Sequence, residues 1–232
     1  MKINRRQFVR NLGLGTASLS MGSLISTSSC APSGDSRDKR GKVSDDDQFL
    51  FIGDDIAIAQ TEYGKVQGYL LNHVYTFLGV PYGADTSGKN RFMPPQKPEP
   101  WTDVRPAVFY GNTAPQRMEN RWPNNYGTFA DHWNYWDVSE DCLYLNVWTP
   151  GIADGKRRPV LVWLHGGGFT NGSGIEQDGY HGENISREGD IVFCSINHRL
   201  GPIGFSDLSG VGGEAYKDSG NAVSYTHLRA HE

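Results

Sequence analysis

The hydrophobic positions in the middle of the chain predict a series of short strands. Residues 56–61, 64–69 and 74–78 are brief segments with β-branched and aromatic residues, and glycines separate them. This spacing is typical of an antiparallel meander. The segment from residue 81 to 137 is rich in Pro, Gly, Asn and Trp, and it predicts a long structured loop.

Three apolar runs follow this loop and predict the centre of a sheet. Residues 143–148 alternate apolar and polar side chains, residues 160–164 are apolar throughout, and residues 191–196 are rich in β-branched residues. A strand that is apolar on both faces fits a sheet covered by helices on both sides. Only a short helical turn fits at residues 182–187. We predict an α/β protein with antiparallel edge strands and the first central strands of a mostly parallel sheet.

The long loop carries more aromatic residues than a disordered segment usually has. Two interpretations stay open: the loop lines part of a ligand pocket, or it is packed on the surface without contact to a ligand. The aromatic residues are Trp101, Phe109, Trp122, Phe129, Trp133 and Trp136.

The first 30 residues predict an export signal. They hold four basic residues and no acidic residue, and a weakly apolar stretch follows from residue 12 to 25. That stretch is too short and too polar to span a bilayer, which takes about 20 apolar residues. Residues 4–10, with Arg5, Arg6 and Arg10, resemble a twin-arginine signal. An ordinary basic amphipathic N-terminus is the alternative.

Cys30 is a candidate for lipidation, because two serines precede it as small residues precede a lipidated cysteine. Thr27 stands where such signals usually have Leu, so an unmodified Cys30 stays open as well. Residues 31–47 are polar and predict a flexible linker. We predict an exported protein that is periplasmic, extracellular or lipid-anchored to the cell envelope, and we expect contact with a membrane only through Cys30.

Charge and cysteine spacing disfavour nucleic-acid and metal partners. Residues 1–30 hold four of the 22 basic residues and none of the 26 acidic ones, so the remainder carries a net charge of −8. Nucleic acids are bound mainly by basic patches. No C-x-x-C pair occurs, so no metal site is predicted. Cys194 lies in an apolar run and is interpreted as a small buried hydrophobic residue.

The most informative segment joins the apolar run at residues 160–164 to His165-Gly166-Gly167-Gly168. A buried strand that leads into His-Gly-Gly-Gly is the oxyanion-hole motif of lipases and esterases. Attack on an ester creates an oxyanion, and glycines let two backbone N–H groups point at it without side-chain obstruction. The alternatives are a plain glycine-rich turn and a phosphate-binding loop, but the chain contains neither G-x-G-x-x-G nor Gly-Lys-Ser/Thr.

Six sequence blocks occur in an order that is typical of one enzyme family. They are F-L-G-V-P-Y-G at 77–83, R-F-M-P-P at 91–95, E-D-C-L-Y-L-N-V at 140–147, H-G-G-G-F at 165–169, N-H-R-L-G at 197–201 and D-S-G-N at 218–221. On these blocks the chain resembles the type-B carboxylesterases, the branch of the α/β-hydrolases that also contains the cholinesterases. The resemblance implies the α/β-hydrolase fold, with residues 48–222 as the N-terminal part of its domain.

The resemblance also implies the chemistry. Gly167 and Gly168 would supply the oxyanion-hole amides, and Gly166 would help to shape the bend. The full-length protein would hydrolyse small carboxylic esters through an acyl-serine intermediate, with a His base oriented by Glu or Asp and with no metal or organic cofactor.

Further residues take structural roles from the same resemblance. Arg91 and Glu140 would form a salt bridge. If buried, it would cost about 3–5 kcal/mol to break, and if solvated it would contribute about 0–1 kcal/mol. Ala114 stands where family members often have a cysteine, so Cys142 would lack its usual disulfide partner. His198 stands where Tyr is more usual, and it is interpreted as a packing variant rather than a catalytic group.

The triad of this fold follows the His-Gly-Gly-Gly loop in the order Ser, Asp or Glu, His. The chain contains no G-x-S-x-G elbow, and the nearest segment, residues 204–208, lacks the second glycine. We therefore expect these 232 residues to end before the triad and to be inert by themselves. Residues 223–232 fit no family block and are expected to be foreign to the protein, with a frameshift or a divergent true end as the alternative.

A catalytically dead relative used for binding or adhesion is the alternative function. Such a protein keeps the sheet and loses the serine. The intact block at residues 165–169 favours the enzyme, because a binding module needs no oxyanion hole. The bend in the chain is a second reason for glycine there, so this alternative stays open.

Overall fold

The computed structural model of the chain describes residues 49–116 and 137–223. The predicted export signal, the linker and Cys30 lie outside the described residues, as do residues 224–232 of the predicted foreign tail. Trp122, Phe129, Trp133 and Trp136 of the long loop also lie outside them.

Nine strands in these two segments form two sheets. The strands are β1 (Leu50–Phe51), β2 (Ile58–Gln60), β3 (Lys65–Gln67), β4 (Tyr69–Leu71), β5 (Val74–Pro81), β6 (Arg105–Pro106), β7 (Tyr144–Thr149), β8 (Val160–Leu164) and β9 (Val192–Ile196). The larger sheet has the order β1-β4-β5-β7-β9-β8, and β2-β3-β6 form the smaller one. In the larger sheet only β8 and β9 are parallel, and the other neighbours are antiparallel.

The helices are short. They are α1 (Glu183–Gly189), α2 (Gly201–Phe205) and α3 (Ser209–Gly212), with 3-10 turns at Gly88–Asn90, Asp178–Tyr180, Glu214–Tyr216 and Ser219–Asn221. Helix α1 lies where the sequence predicts a helical turn, and the Ser186 hydroxyl donates to the carbonyl of Trp148 in β7 at 3.0 Å. In the described ranges no helix is long and apolar enough to cross a bilayer.

Most predicted strands lie close to observed ones, but residues 64–69 span β3 and the first residue of β4, and β1 and β6 were not predicted. Residues 160–164 form β8 with the predicted bounds, and the runs at 143–148 and 191–196 form β7 and β9 with shifts of one residue. Strand β5 runs three residues further than predicted, to Pro81, because a register shift between Phe77 and Val80 lets its pairing with β7 continue. A bulge of this kind leaves no trace in the alternation of apolar side chains.

The core packs against the larger sheet, and one of its clusters also includes Val66 on β3 of the smaller sheet. Cys142 and Ala114 share one buried cluster, so the small side chain of Ala114 packs in the same apolar region as this cysteine. Cys142 and Cys194 are both buried free thiols, as predicted for Cys194. The three core clusters contain Tyr82, Ala114, Cys142, Leu143, Cys194, Ile196 and Leu200; Ala57, Val66, Phe77, Val80 and Ala107; and Val74, Leu78, Trp148 and Phe193.

The prediction that β8 is covered on both faces is wrong for the described residues. Val160, Leu161, Trp163 and Leu164 are all exposed. Strand β8 pairs only with β9 in the described ranges and is therefore an edge strand there. An apolar run indicates that a strand is suited to burial, but it does not indicate which part of the protein covers the strand.

Candidate active site

The candidate site lies at the carboxyl end of β8 and β9, the parallel strand pair of the larger sheet in the described ranges. Leu164 at the end of β8 is in register with Ile196 at the end of β9, so the segments that follow leave the sheet at the same edge. This is the edge where α/β proteins bind ligands. A cavity of about 310 Å³ lies there, lined by residues 164–169, Asn171, His198 and Leu200.

The turn after β8 has positive φ angles at successive residues, and the space around Gly167 requires glycine there. Gly167 has a φ of 127° and Gly168 a φ of 61°. A Cβ atom at Gly167 would lie 1.8 Å from the Asn171 carbonyl oxygen. Gly166 is outside the left-handed region, and a Cβ atom there would meet nothing within 4 Å. The positive φ angles of the bend thus include both residues predicted to donate and Phe169 after them, but not Gly166.

Hydrogen bonds at the carbonyl oxygens fix the two peptide planes that carry these amides. The Gly167 oxygen accepts from the Thr170 and Asn171 amides, each at 3.2 Å, and from the Thr170 hydroxyl at 3.1 Å. The Gly166 oxygen accepts from His165 Nδ1 at 2.8 Å. Among the described residues, neither the Gly167 nor the Gly168 N–H donates to another group. Two fixed and available N–H groups beside a cavity are what stabilisation of an oxyanion requires.

Two stacked histidines lie under this turn. The rings of His165 and His198 are 4.4 Å apart at their centroids and inclined by 6°, and both residues are buried. Burial, and to a smaller extent the neighbouring His165, lower the pKa of His198 to about 4. His198 is therefore neutral near pH 7 and packs against the site.

Arg91 and Glu140 are in contact at the surface. Arg91 Nη2 lies 2.6 Å from Glu140 Oε1, and Arg91 Nε lies 2.7 Å from Glu140 Oε2. These hydrogen bonds raise the pKa of Arg91. The Arg91 side chain is 47% exposed, so the larger energy expected for a buried pair does not apply here.

Neither described cysteine is suited to act as a nucleophile. Burial raises the pKa of Cys142 and of Cys194 to about 12, so both are thiols near neutral pH. In the described part of the chain, no group of three His, Cys, Asp or Glu side chains is arranged to hold a metal ion.

The structure adds Gln116 to the site, a residue that the sequence did not single out. Gln116 Oε1 accepts from the Gly172 amide at 2.8 Å, and Nε2 donates to the Gly172 oxygen at 2.9 Å. These partners are 56 residues apart in sequence. The Pro-Gln pair at residues 115–116 was a visible signal, but its partner depends on the tertiary fold.

The chain is similar to known proteins over most of its length. Residues 55–221 match the carboxylesterase family. Phenmedipham hydrolase of Pseudarthrobacter oxydans is 45% identical over 157 residues, which is 68% of this chain and 30% of that protein. Para-nitrobenzyl esterase of Bacillus subtilis is 39% identical over 165 residues, which is 70% of this chain and 31% of that protein.

Solved structures of esterases are also similar to this chain. An esterase of Clostridium hathewayi that can hydrolyse aliphatic aromatic polyesters superposes with a TM-score of 0.71 and 37% identity, covering 79% of this chain and 35% of that one. A carboxylesterase of Geobacillus stearothermophilus gives a TM-score of 0.65 at 36% identity, over 75% of this chain and 33% of that one. The chain spans about a third of the length of these relatives. With the α/β-hydrolase fold and a family match over most of its length, the chain belongs to the carboxylesterase family.

Proposed function

We propose that the full-length protein hydrolyses carboxylic esters through a serine nucleophile, with Gly167 and Gly168 as its oxyanion-hole donors. The observation that carries the proposal is the pair of available amides in fixed peptide planes at the edge of the cavity. When an alkoxide attacks an ester carbonyl, negative charge develops on the carbonyl oxygen, and two aimed N–H groups stabilise it.

We place the residues of the catalytic triad in parts of the protein beyond these residues. The 232 residues contain no G-x-S-x-G elbow, and the relatives are about three times as long as the matched segment. The nucleophile, the His base and its acidic partner then come from the remaining sequence, and the 232-residue chain by itself is inert.

The substrate class follows from the relatives only at a coarse level. Their names include a para-nitrobenzyl esterase, a phenmedipham hydrolase and an esterase that acts on polyesters. A cavity of about 310 Å³ lined by Leu164, Phe169 and Leu200 accommodates a small apolar group. We propose a small carboxylic ester with an apolar acyl or alcohol part.

We further propose that the protein is exported, on the basis of the basic and weakly apolar first 30 residues. The mass of the protein recovered from the cell envelope tests this proposal. A mature N-terminus at a lipid-modified Cys30 supports export with an anchor, and an unmodified cut elsewhere supports export without one. An uncleaved protein confined to the cytoplasm contradicts export.

Assay of the purified full-length protein with short-chain para-nitrophenyl esters tests the enzymatic proposal. We expect hydrolysis together with stoichiometric labelling of one serine by a fluorophosphonate probe, and neither from the 232-residue chain. A folded full-length protein that neither hydrolyses nor labels would favour the binding module.

A further inference from the structure

The orientation of the Gly167 N–H depends on the carbonyl group in the same peptide unit. A trans peptide is planar, and its C=O and N–H groups point in opposite directions. The Gly166 oxygen and the Gly167 N–H belong to one such unit. The hydrogen bond of 2.8 Å between His165 Nδ1 and the Gly166 oxygen therefore aims the Gly167 amide away from the His165 ring.

One face of the His165 ring is held by His198. The two rings stack in nearly parallel planes, with centroids 4.4 Å apart. His198 is 5% exposed, and its Nδ1 lies 2.9 Å from the carbonyl oxygen of Arg199. His198 lies two residues after the end of β9 at Ile196, so the stacking joins the turn after β8 to the end of its parallel neighbour.

Gly172 lies close to the hydrogen bond between His165 and Gly166, on a side that His198 does not cover. A Cβ atom at Gly172 would lie 2.3 Å from the Gly166 oxygen and 2.5 Å from His165 Nδ1. Gln116 holds Gly172 in place through the two hydrogen bonds to its amide and its oxygen. The bond between His165 and Gly166 is thus enclosed by groups from three different segments of the chain.

We propose that His198 is a positioning residue for the oxyanion hole: its ring fixes the His165 ring, and the His165 ring fixes the peptide unit that presents the Gly167 N–H. This inference rests on the proposed esterase function. His198 lines the cavity, but it transfers no proton, and its imidazole acts as a flat surface that the His165 ring packs against.

The inference predicts a loss in the chemical step and not in substrate binding. The ester carbonyl carries little charge before attack, and the oxyanion forms when the serine oxygen bonds to the carbonyl carbon and the π electrons move onto oxygen. A Gly167 N–H that points in the wrong direction therefore reduces the stabilisation of the transition state more than it reduces the binding of the substrate. As a result, kcat falls while KM changes little.

The test uses the full-length protein with His198→Ala and His198→Phe, and with His181→Ala as the matched control. Phe keeps a flat ring against His165, whereas Ala removes it. His181 packs edge-on against Trp148 at 5.0 Å, outside the turn after β8. Titration of the reactive serine with a fluorophosphonate counts the folded active sites, so kcat is expressed per site.

For His198→Ala we expect kcat per titrated site to fall about 10- to 100-fold, as a displaced catalytic group does. The inhibition constant of a trifluoromethyl ketone, which forms the oxyanion adduct, should rise by a similar factor while KM stays within about threefold. His198→Phe should recover most of the loss, and the control should match the wild type.

Three results would overturn the inference. One is a His198→Ala protein with fewer active sites but unchanged kcat per site, which marks a role in folding alone. Another is an equal loss in His198→Ala and His198→Phe, which shows that the ring is not acting as a packing surface. The third is a rise in KM with constant kcat. Failure of the wild type to hydrolyse or to label would instead contradict the proposed esterase function.

Discussion

At the scale of single residues, Gly166 and Gly167 are neighbours with different requirements. An alanine at Gly167 has to adopt a φ of 127° and displace the Asn171 carbonyl, whereas an alanine at Gly166 meets open space. We expect Gly167→Ala to lower kcat/KM of the full-length protein by about 100-fold or more, as does loss of an oxyanion donor. Gly166→Ala should cost less than about 10-fold, because the other residues of the bend keep their conformation. Equal losses in a steady-state assay would contradict the assignment.

His198 also gives the protein a pH-dependent stability. Burial, followed by the neighbouring His165, lowers its pKa to about 4, so the folded state holds this ring neutral while the unfolded chain protonates it near its ordinary pKa. The stabilisation is complete above about pH 6.5 and is lost as the pH falls toward 4. Between about pH 7 and 5, chemical denaturation should show the wild type losing about 2 kcal/mol more than His198→Phe. An identical pH dependence in both proteins would show that His198 does not carry this effect.

The sequence predicted the glycines of the site better than the side chains that hold them. A strand followed by His-Gly-Gly-Gly indicates an oxyanion turn from local pattern alone. The contacts of His165 with His198, and of Gly172 with Gln116, join positions 33 and 56 residues apart. Such contacts depend on which strand lies beside which, and no periodicity in one segment encodes that.

At the scale of elements, Asn146 joins three central strands of the larger sheet. Its Oδ1 accepts from the Gly79 amide at the bulge of β5 at 3.0 Å, and its Nδ2 donates to the Ser195 hydroxyl in β9 at 3.1 Å. Asn146→Ala leaves the Gly79 N–H without its acceptor, so we expect the free energy of unfolding to fall by about 2–3 kcal/mol. Ser195→Ala removes one side-chain partner and should cost about 1 kcal/mol. Urea denaturation of both variants measures the difference, and a larger loss for Ser195→Ala would contradict this role of Asn146.

Apolar patterning predicted which segments are strands because burial selects β-branched and aromatic residues there. It did not predict their neighbours. The pattern at residues 64–69 predicts one strand. In the structure these residues span β3 and the first residue of β4, and the two strands lie in different sheets. Strand β8 has the predicted bounds and yet is exposed in the described ranges. The local residue types favour a strand, but the segments that pack against this strand are far away in sequence.

At the scale of the whole molecule, the exposed β8 affects how the 232-residue chain behaves by itself. An apolar edge strand with free backbone groups pairs readily with other strands. We expect this chain, expressed alone, to elute from size exclusion as oligomers, and we expect Val160→Lys to shift it toward monomer by placing a charge on that edge. Gln60→Lys on β2 of the smaller sheet is the control and should not change the elution. A monomeric wild-type chain would show that β8 does not drive association.

The family assignment, the fold and the geometry of the turn after β8 converge on one claim, that the Gly167 and Gly168 amides bind an oxyanion. A crystal structure of the full-length protein with a trifluoromethyl ketone tests this claim most directly. We expect a covalent adduct on serine whose oxyanion lies about 2.7–3.1 Å from both the Gly167 and the Gly168 nitrogen. An oxyanion bound by other groups, with these two amides pointing elsewhere, would contradict it.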